Sequence, residues 1–167
     1  MNVGVLTLSD KGARRERADT SGAAIRELLA SLGAEVRRYE ILPDDLEGIA
    51  RTLAAWCDAG DLDLLVTTGG TGLSPRDVTP EATLRVLERQ APGIAELMRA
   101  EGLRHTPMAA LSRAVAGVRG RTLVVNLPGS EKGVRESLGS ILPILPHAVE
   151  TLRAAVEQHP VGDKGKN

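Results

Sequence analysis

The chain has 167 residues, a formal net charge of −1 and a single cysteine, Cys57. This length fits one domain with a substantial core, and one cysteine cannot form an intramolecular disulfide. Because Trp56 and Tyr39 are the only aromatic residues and the charge is nearly balanced, the chain offers neither base-stacking platforms nor a basic field, and we do not expect it to bind nucleic acid.

Membrane insertion and secretion are not expected either. The longest uncharged stretch, residues 137–149, contains two prolines and is shorter than the roughly 20 apolar residues that span a bilayer. No basic, apolar signal sequence or anchor motif opens the chain. We therefore expect a cytoplasmic protein with one domain over residues 1–159 and a frayed tail over residues 160–167.

The first half of the chain alternates strand and helix patterns. Short apolar runs that stop at polar residues predict buried strands, the strand-like residues 35–42 before Pro43 predict a further strand, and leucines or isoleucines at helical spacing predict amphipathic helices. The predicted elements are a strand at 3–8, a helix from the cap residues 19–21 to Gly33, a strand at 35–42, a helix at 46–60 and a strand at 62–68.

The second half continues this alternation less regularly. Since strands and helices alternate, we predict a three-layer α/β/α sandwich with a mostly parallel sheet. The predicted elements are a helix from the N-cap Thr79 and Pro80 to about Arg89, a helix at 92–104, a short helix and connector at 107–118, a strand at 121–127, and a mostly helical segment at 134–158 interrupted near Pro143 and Pro146.

Polar or glycine-rich residues follow each predicted strand. In an open α/β sheet, ligands bind beyond the carboxyl ends of the strands, so parallel strands would bring these segments into one pocket. The four segments are Ser9-Asp10, Pro43-Asp44-Asp45, Gly69-Gly70-Thr71-Gly72 and Asn126-Leu127-Pro128-Gly129-Ser130.

The stretch TTGGTGLSPRDVTPE, residues 67–81, contains the strongest ligand-binding signal. Three glycines can adopt positive φ and leave their N–H groups uncovered, so the turn can surround an anion, most simply a phosphate. The alternative is a tight turn without a ligand. Further candidate phosphate donors are the hydroxyls of Thr71, Ser74 and Thr79 and the basic residues Lys11, Arg14, Arg15 and Arg17.

Several familiar catalytic motifs are absent. The sequence contains no Walker A motif, no dinucleotide fingerprint and no G-x-S-x-G nucleophile elbow. His105, His147 and His159 lack zinc-ligand spacing, so we interpret them as surface or core residues. Cys57, beside Trp56 on an apolar helix face, is interpreted as a packing residue.

Taken together, six segments resemble the molybdenum cofactor biosynthesis family, which includes the molybdopterin adenylyltransferases. The central segment, GGTG followed by RDVTPE, is the most specific. The resemblance implies a three-layer α/β fold, usually a homotrimer (or a hexamer), that transfers AMP from ATP to the terminal phosphate of molybdopterin. It also implies other proteins of the same pathway as partners. The segments are LTLSD, DTSG, LPDD, TTGGTGLSPRDVTPE, SRAVAG and NLPGS.

The resemblance also assigns roles to residues. Asp44 and Asp77 match the two acidic positions used around Mg²⁺ and the triphosphate, which makes them the candidate catalytic and metal-binding residues. The matching ligand-binding positions are Ser9, Asp10, Gly69, Gly70, Thr71, Gly72, Ser74, Thr79, Glu81, Asn126, Pro128, Gly129 and Ser130.

Simpler roles remain open for the two acids and for the whole chain. Asp44 could cap the following helix, and Asp77 could brace the turn before Thr79. The apolar stretch 138–149 could form an oligomer interface or belong to the core. Because some compact members of the family lack the acids, a non-catalytic molybdopterin carrier is the alternative function. The metal-inserting step is disfavoured, since its enzymes carry further domains for which 167 residues leave no room.

Overall fold

The computed structural model describes residues 1–14, 16 and 18–158, with side chains described up to residue 154. The predicted frayed tail at 160–167, His159, and Arg15 and Arg17 of the basic loop lie outside the described residues. The strands are β1 (Asn2–Leu8), β2 (Glu35–Leu42), β3 (Leu64–Thr68), β4 (Arg89–Gln90), β5 (Ala116–Arg119) and β6 (Thr122–Leu127).

The helices lie between these strands and after β6. Two short 3-10 helices, Pro107–Leu111 and Leu142–Ile144, accompany them. The α-helices are α1 (Asp10–Ala13), α2 (Thr20–Ala30), α3 (Leu46–Asp58), α4 (Thr79–Val86), α5 (Pro92–Leu103), α6 (Glu131–Ile141) and α7 (Leu145–Gln158).

The described strands form one sheet in the order β2-β1-β3-β6-β5-β4. β2, β1, β3 and β6 are parallel, with Val3 of β1 opposite Leu64 of β3 and Thr7 opposite Thr68. β5 and β4 are antiparallel additions at one edge. The four predicted strands and their mostly parallel arrangement are therefore confirmed, whereas β4 and β5 were not predicted.

Helices cover both faces of the sheet, which confirms the three-layer prediction. One buried cluster joins the sheet to α2, α5, α6 and the start of α7. A second buried cluster joins the opposite face to α3 and α4. Every side chain of β3 and β6 is buried, as expected for parallel strands covered on both sides.

Aspartate caps begin two of the helices that lead away from the site. The Asp19 carboxylate accepts a hydrogen bond from the Gly22 N–H (2.8 Å) at the start of α2, as the sequence predicted. The Asp45 carboxylate accepts one from the Gly48 N–H (2.7 Å) at the start of α3. Asp45, and not Asp44, is therefore the cap of α3.

Three predictions about the second half need correction. Helix α4 ends at Val86 because the chain then turns into β4, and its N-cap is Val78, so Thr79 is the first helical residue. The apolar stretch 138–149 belongs to the core through four buried side chains, which leaves the interface prediction without support there. Those side chains are Leu138, Ile141, Leu145 and Val149.

Within the described residues, no helix is long and apolar enough to cross a membrane.

Candidate functional site

The predicted convergence of the strand exits is confirmed for the parallel strands. β1 lies between β2 and β3, so the strand order changes direction at β1, which is where open α/β sheets leave a crevice. Two cavities open at this edge of the sheet, and both are lined by the loop at residues 69–72, here called the glycine loop.

The backbone of the glycine loop depends on two glycines with positive φ, Gly69 (101°) and Gly70 (62°). A Cβ at Gly69 would overlap the Leu8 carbonyl oxygen, and one at Gly70 would overlap the Thr79 hydroxyl. Gly72, for which the sequence also allowed positive φ, does not adopt it.

The glycine loop presents unpaired backbone donors. Within the described part of the chain, the N–H groups of Gly70, Thr71 and Gly72 donate no hydrogen bond to protein. Backbone N–H groups without partners at a turn of this kind form an anion-binding concavity. The loop therefore has the donors that its sequence predicts for a phosphate.

Thr79 supports the glycine loop from below. Its side chain is fully buried, its hydroxyl donates to the Gly69 carbonyl (2.9 Å), and its N–H donates to the Gly70 carbonyl (3.1 Å). It lines neither cavity. Ser74 likewise lies outside both cavities, and its hydroxyl accepts a hydrogen bond from the Arg76 N–H (3.2 Å).

Asp44 holds a carboxylate oxygen that no described residue satisfies. Its Oδ2 accepts a hydrogen bond from the Asp10 N–H (3.3 Å), but its buried Oδ1 has no partner. Burial raises the pKa of Asp44, and the negative charges of Asp10 and Asp77 act in the same direction. A buried oxygen of this kind is expected to have a partner, so it points to a missing cation or donor.

Asp77 also lies beside the glycine loop. Its Oδ2 accepts a hydrogen bond from the Ser74 N–H (2.9 Å), so the carboxylate does brace the turn, as the simpler interpretation proposed. A Cβ at Gly72 would lie 2.9 Å from this same Oδ2. Asp77 also lines both cavities, which the bracing role alone does not require.

Asp10, predicted as a ligand residue, lines neither cavity and is bound to Arg76. Two hydrogen bonds from Nη2 of Arg76 reach Asp10 Oδ1 (2.9 Å) and Oδ2 (2.7 Å). This contact, with a smaller contribution from the Asp44 N–H, lowers the pKa of Asp10. Ser9, the other predicted residue of this loop, caps α1 through its hydroxyl and lines the smaller cavity.

The two cavities differ in size and lining. The larger cavity, about 460 Å³, lies between the glycine loop, α5, the 3-10 helix at 107–111 and α6, and has apolar walls that include Met98 and Leu111. The smaller cavity, about 370 Å³, lies between the loops after β1 and β3 and the start of α2, and is lined mostly by hydroxyl and acidic side chains. Both cavities are lined by Gly70, Asp77, Gly129 and Ser130.

The loop after β6 separates the two cavities. Ser130 caps α6 by accepting a hydrogen bond from the Gly133 N–H (3.1 Å). The Gly129 carbonyl accepts one from the Ser21 hydroxyl (2.8 Å), and a Cβ on Gly129 would lie 3.2 Å from the Gly69 Cα. Pro128 lines the larger cavity. The predicted residues 128–130 therefore lie at the site.

Asn126 does not reach either cavity. It is fully buried, and its amide donates to the hydroxyls of Thr67 and Thr83, both at 2.9 Å. Its side-chain oxygen accepts from the Val115 N–H (3.3 Å). Asn126 therefore ties β6 to β3 and α4 beneath the site.

Arg113 is a supporting residue that the sequence analysis missed. Its guanidinium donates to the carbonyls of Gly72 (2.7 Å) and Asp77 (2.5 Å) and pairs with Glu81. Glu81, predicted as a ligand residue, lies outside both cavities and is half exposed. Its side chain pairs with Arg113. Arg113 fixes the glycine loop from outside.

Other missed residues line the cavities directly. The segment DTSG was interpreted as a helix start, but its residues Asp19, Thr20 and Ser21 also line the smaller cavity. Asp19 accepts hydrogen bonds from Thr7 (2.6 Å) and Tyr39. In the larger cavity the missed polar residues are Arg99, Thr106, Ser112, Lys132, Glu136 and Ser137.

His105, His147 and Cys57 line neither cavity. His147 is exposed, and His105 contacts Glu101 (3.1 Å). Burial raises the pKa of Cys57 to about 11, and its side chain packs in the cluster under α3, as predicted. Among the described residues, no three His, Cys, Asp or Glu side chains group closely enough to hold a metal ion by themselves.

Comparison with known proteins agrees with this architecture. Residues 4–147 match the model of a family described as a probable molybdopterin binding domain. The chain is 42% identical over 154 residues to molybdopterin adenylyltransferase of Helicobacter pylori J99, covering 91% of this chain and 88% of that protein. It is 37% identical over 143 residues to molybdopterin adenylyltransferase of Escherichia coli K12, covering 84% and 73%.

A solved structure is also similar. The crystal structure of the molybdopterin biosynthesis enzyme MoaB from Thermus thermophilus has 60% sequence identity and a TM-score of 0.87, and the match covers 92% of this chain and 96% of that one. With the family model matched over most of its length, the chain belongs to the molybdopterin-binding family of molybdenum cofactor biosynthesis proteins.

Proposed function

We propose that the protein is a molybdopterin adenylyltransferase, which transfers AMP from ATP to the terminal phosphate of molybdopterin in a Mg²⁺-dependent reaction. The observation that carries the proposal is the wall shared by the two cavities. Gly70, Asp77, Gly129 and Ser130 line both, so two ligands bound side by side would meet at this wall. Relatives named molybdopterin adenylyltransferase support the same activity.

The linings of the cavities suggest which substrate each one takes. The larger cavity, with methionine, leucine and alanine side chains, suits a flat ring system such as the pterin. The smaller cavity, lined by Thr7, Thr20 and Thr68 among other hydroxyl groups, suits the ribose and phosphates of ATP. Both phosphate ends would then lie against the glycine loop and the start of α6.

The reaction needs no general base from the protein. The second ionisation of a phosphate monoester lies near pH 6, so the molybdopterin phosphate is mostly dianionic at neutral pH. One of its oxygens attacks the α-phosphorus of ATP, and the bond from that phosphorus to the bridging oxygen of pyrophosphate breaks. The products are adenylylated molybdopterin and pyrophosphate. The main obstacle is repulsion between two polyanions, so catalysis consists of positioning and charge compensation.

Asp44 and Asp77 would hold the Mg²⁺ ion. The unsatisfied, buried Oδ1 of Asp44 fits this role, and Asp77 Oδ1 is not engaged in the turn. Mg²⁺ prefers one or two carboxylates together with phosphate oxygens and water, so two acids suffice without a third protein ligand. When bound, the ion neutralises charge on the triphosphate. Asp10 would keep Asp44 in place through the hydrogen bonds between them.

The remaining groups compensate phosphate charge. The unpaired N–H groups of Gly70, Thr71 and Gly72 donate to phosphate oxygens, and the N-terminus of α6 adds its positive partial charge. Lys132 lines the larger cavity and supplies a cation near the shared wall. These donors are already in place, so binding requires little reorganisation.

A non-catalytic carrier is the competing function, and one experiment separates the two. The purified protein is incubated with molybdopterin, ATP and Mg²⁺, and pyrophosphate release is measured together with adenylylated molybdopterin. Release of one pyrophosphate per product supports the transferase. Tight molybdopterin binding without pyrophosphate would establish the carrier. The presence of both acids favours the transferase, because a carrier would not need Asp44 Oδ1.

The domain extent, the location and the assembly of the protein are also part of this proposal. We place the functional unit in a single domain of residues 1–159, acting in the cytoplasm as a homotrimer, with a hexamer as the alternative assembly. Other proteins of molybdenum cofactor biosynthesis would supply molybdopterin and receive the adenylylated product. The resemblance to the family supports these assignments.

A further inference from the structure

A carboxylate without hydrogen-bond donors lines the larger cavity. The Glu136 side chain is only 17% exposed, yet its nearest basic neighbours, His105 Nδ1 and Lys132 Nζ, lie 3.7 and 3.8 Å away. Both distances exceed that of a hydrogen bond. Within the described residues, no donor makes a hydrogen bond to this carboxylate. A largely buried acceptor of this kind can still accept strong bonds from a ligand.

Glu136 lies at a suitable distance from the phosphate end of the cavity. Helix α6 begins after its cap Ser130, which lies at the shared wall, and Glu136 follows it by six residues. This corresponds to roughly 9 Å along the helix axis. Lys132, Gly133 and Ser137 line the cavity between or beside these points. A ligand with its phosphate at Ser130 would extend its ring along α6 toward Glu136.

The chemistry of the pterin ring complements one carboxylate. Its 2-amino-4-oxopyrimidine edge carries two adjacent N–H donors, N3–H and the 2-amino group, which point in the same direction. Two parallel N–H donors match the two oxygens of a carboxylate in a bidentate, charge-assisted arrangement. The corresponding edge of adenine pairs one donor with the acceptor N1, which a carboxylate repels. The same side chain therefore favours pterin over adenine in this cavity.

We propose that Glu136 is the residue that selects the pterin, by accepting hydrogen bonds from the donor edge of its pyrimidine ring. The inference rests on the proposed function for its assignment of the larger cavity to molybdopterin. A purely structural role would instead be to pair with Lys132 on the same helix and to hold His105, which follows α5, against α6. That role predicts no effect on the choice between ring systems.

The test uses Glu136→Gln with Glu131→Gln as the matched control. Glu131 is on the same helix, is half exposed, and pairs with Arg135 outside the cavity. The KM values for molybdopterin and for ATP are measured separately by pyrophosphate release. We expect Glu136→Gln to raise the KM for molybdopterin by about 10- to 100-fold and to leave the KM for ATP unchanged. The control should stay within about twofold on both.

A second measurement examines ring selection. Inhibition by 6-hydroxymethylpterin is compared with inhibition by its lumazine analogue, in which a carbonyl replaces the 2-amino group. The wild-type protein should favour the pterin by about tenfold or more, and Glu136→Gln should lose this preference. Glu136→Asp, which keeps the charge but shortens the reach, should show an intermediate preference.

The outcomes separate the inference from the proposed function. An unchanged KM for molybdopterin and an unchanged pterin-to-lumazine ratio in Glu136→Gln would overturn the role of Glu136. If the wild-type protein releases no pyrophosphate, the transferase fails, and the ring preference is then measured by direct binding of the two compounds. A preference that depends on Glu136 would still support the inference in that case, and its absence would overturn it.

Discussion

Asp10 and Asp44 exchange hydrogen bonds across the carboxyl ends of β1 and β2. The Asp10 N–H donates to Asp44 Oδ2 (3.3 Å), and the Asp44 N–H donates to Asp10 Oδ1 (3.1 Å). Arg76 neutralises Asp10 from the solvent side, whereas Asp44 Oδ1 has no described partner. Asp10 therefore has a cationic partner within the protein, whereas Asp44 Oδ1 has none among the described residues, and under the proposed function it would bind the cation that accompanies the substrate.

This arrangement makes neighbouring aspartates suitable for a paired test. Asp44→Asn should keep the fold, because an amide oxygen can still accept the bond from the Asp10 N–H, but should lower kcat for adenylyl transfer by about 100-fold or more. Asp45→Asn should leave kcat within about twofold, since Asp45 caps α3 and asparagine caps as well as aspartate. Equal losses in both variants would contradict a metal role for Asp44.

The two roles of Asp77 can be separated by two substitutions. Asp77→Asn keeps an acceptor for the Ser74 N–H but removes the charge, so it should lose adenylyl transfer while its stability changes by only about a few tenths of a kcal/mol. Asp77→Ala loses the acceptor as well and should lose about 1 kcal/mol in addition. Denaturant unfolding and pyrophosphate release measure the two effects.

The metal interpretation of Asp77 also predicts a rescue. Raising Mg²⁺ should partly restore turnover in Asp77→Asn, because a weaker site fills at a higher ion concentration, whereas raising molybdopterin should not. If turnover of Asp77→Asn stays within a few-fold of wild type at low Mg²⁺, Asp77 acts only as a turn residue.

The glycine loop offers a control for backbone strain. Gly70 (φ 62°) and Gly60 (φ 72°) both adopt a left-handed conformation, but a Cβ at Gly60 would meet nothing within 4 Å. The left-handed backbone alone should make substitution of either by alanine cost about 1 to 2 kcal/mol of stability, and Gly70→Ala should cost more because its Cβ would overlap the Thr79 hydroxyl. Only Gly70→Ala should also lose nucleotide-dependent activity, since its Cβ would displace Thr79 and lie 3.1 Å from Asp44 Oδ1. Activity losses of similar size in both variants would show that strain alone is responsible.

The sequence predicted the elements whose signal is local. Apolar runs, strand-like residues and helical spacing identified the four parallel strands and most helices, since each of these elements carries its own residue pattern. β1, β3 and β6 are mostly or fully buried, whereas β2 has no buried residue. β4 has only two residues, both exposed, and β5 consists of Ala116-Gly117-Val118-Arg119, which has no strand-like periodicity. β5 forms because β6 offers a free edge after the turn at Gly120, and β4 then pairs with β5, so both strands depend on the assembled sheet and not on local sequence.

The sequence predicted the parts of the candidate site that are formed by loops at the ends of strands. It predicted less well the residues whose position depends on contacts with residues far away in the sequence. Residues 69–72 and 128–130 lie at the cavities because loops after parallel strands must meet there. Asn126 was assigned to the loop after β6, but it is a buried residue of that strand, bonded to Thr67 and Thr83. Arg113 was missed because its partners at Gly72 and Asp77 lie 41 and 36 residues away in sequence.

Assembly is predicted separately from catalysis. Several large apolar side chains are exposed, including Leu73 (65%), Met108 (62%) and Leu103 (51%), and contact with another copy of the chain would remove such surface from water. We expect light scattering at micromolar concentration to give three times the chain mass, or six times for the hexamer. A monomer mass under these conditions would contradict the prediction.

The amino ends of the parallel strands, opposite the cavities, hold an ion cluster that should affect stability and not activity. The Asp63 carboxylate is almost fully buried and accepts hydrogen bonds from Arg153 of α7 (2.6 and 3.0 Å), the Asn2 N–H (2.7 Å) and Arg121 (3.3 Å). Burial by itself would raise the pKa of Asp63, but the bonds from Arg153 and Asn2 outweigh it, so the pKa lies below its ordinary value.

The sign of this shift fixes the pH dependence of Asp63→Asn. A lowered carboxyl pKa contributes stability that is present above the pKa of the unfolded chain and is lost as the pH falls through the pKa of the folded protein. At pH 7 we expect the variant to lose about 2 to 4 kcal/mol in the free energy of unfolding, because two arginines lose their buried partner. The difference in the free energy of unfolding between the variant and the wild type should narrow as the pH falls below the usual aspartate range.

Asp61→Asn is the control. Asp61 pairs with Arg38 at the surface (2.9 Å), so this substitution should cost less than about 1 kcal/mol of stability. Urea unfolding at several pH values measures both variants. A loss in Asp63→Asn that does not change with pH would show that packing, and not charge, holds α7 to the sheet.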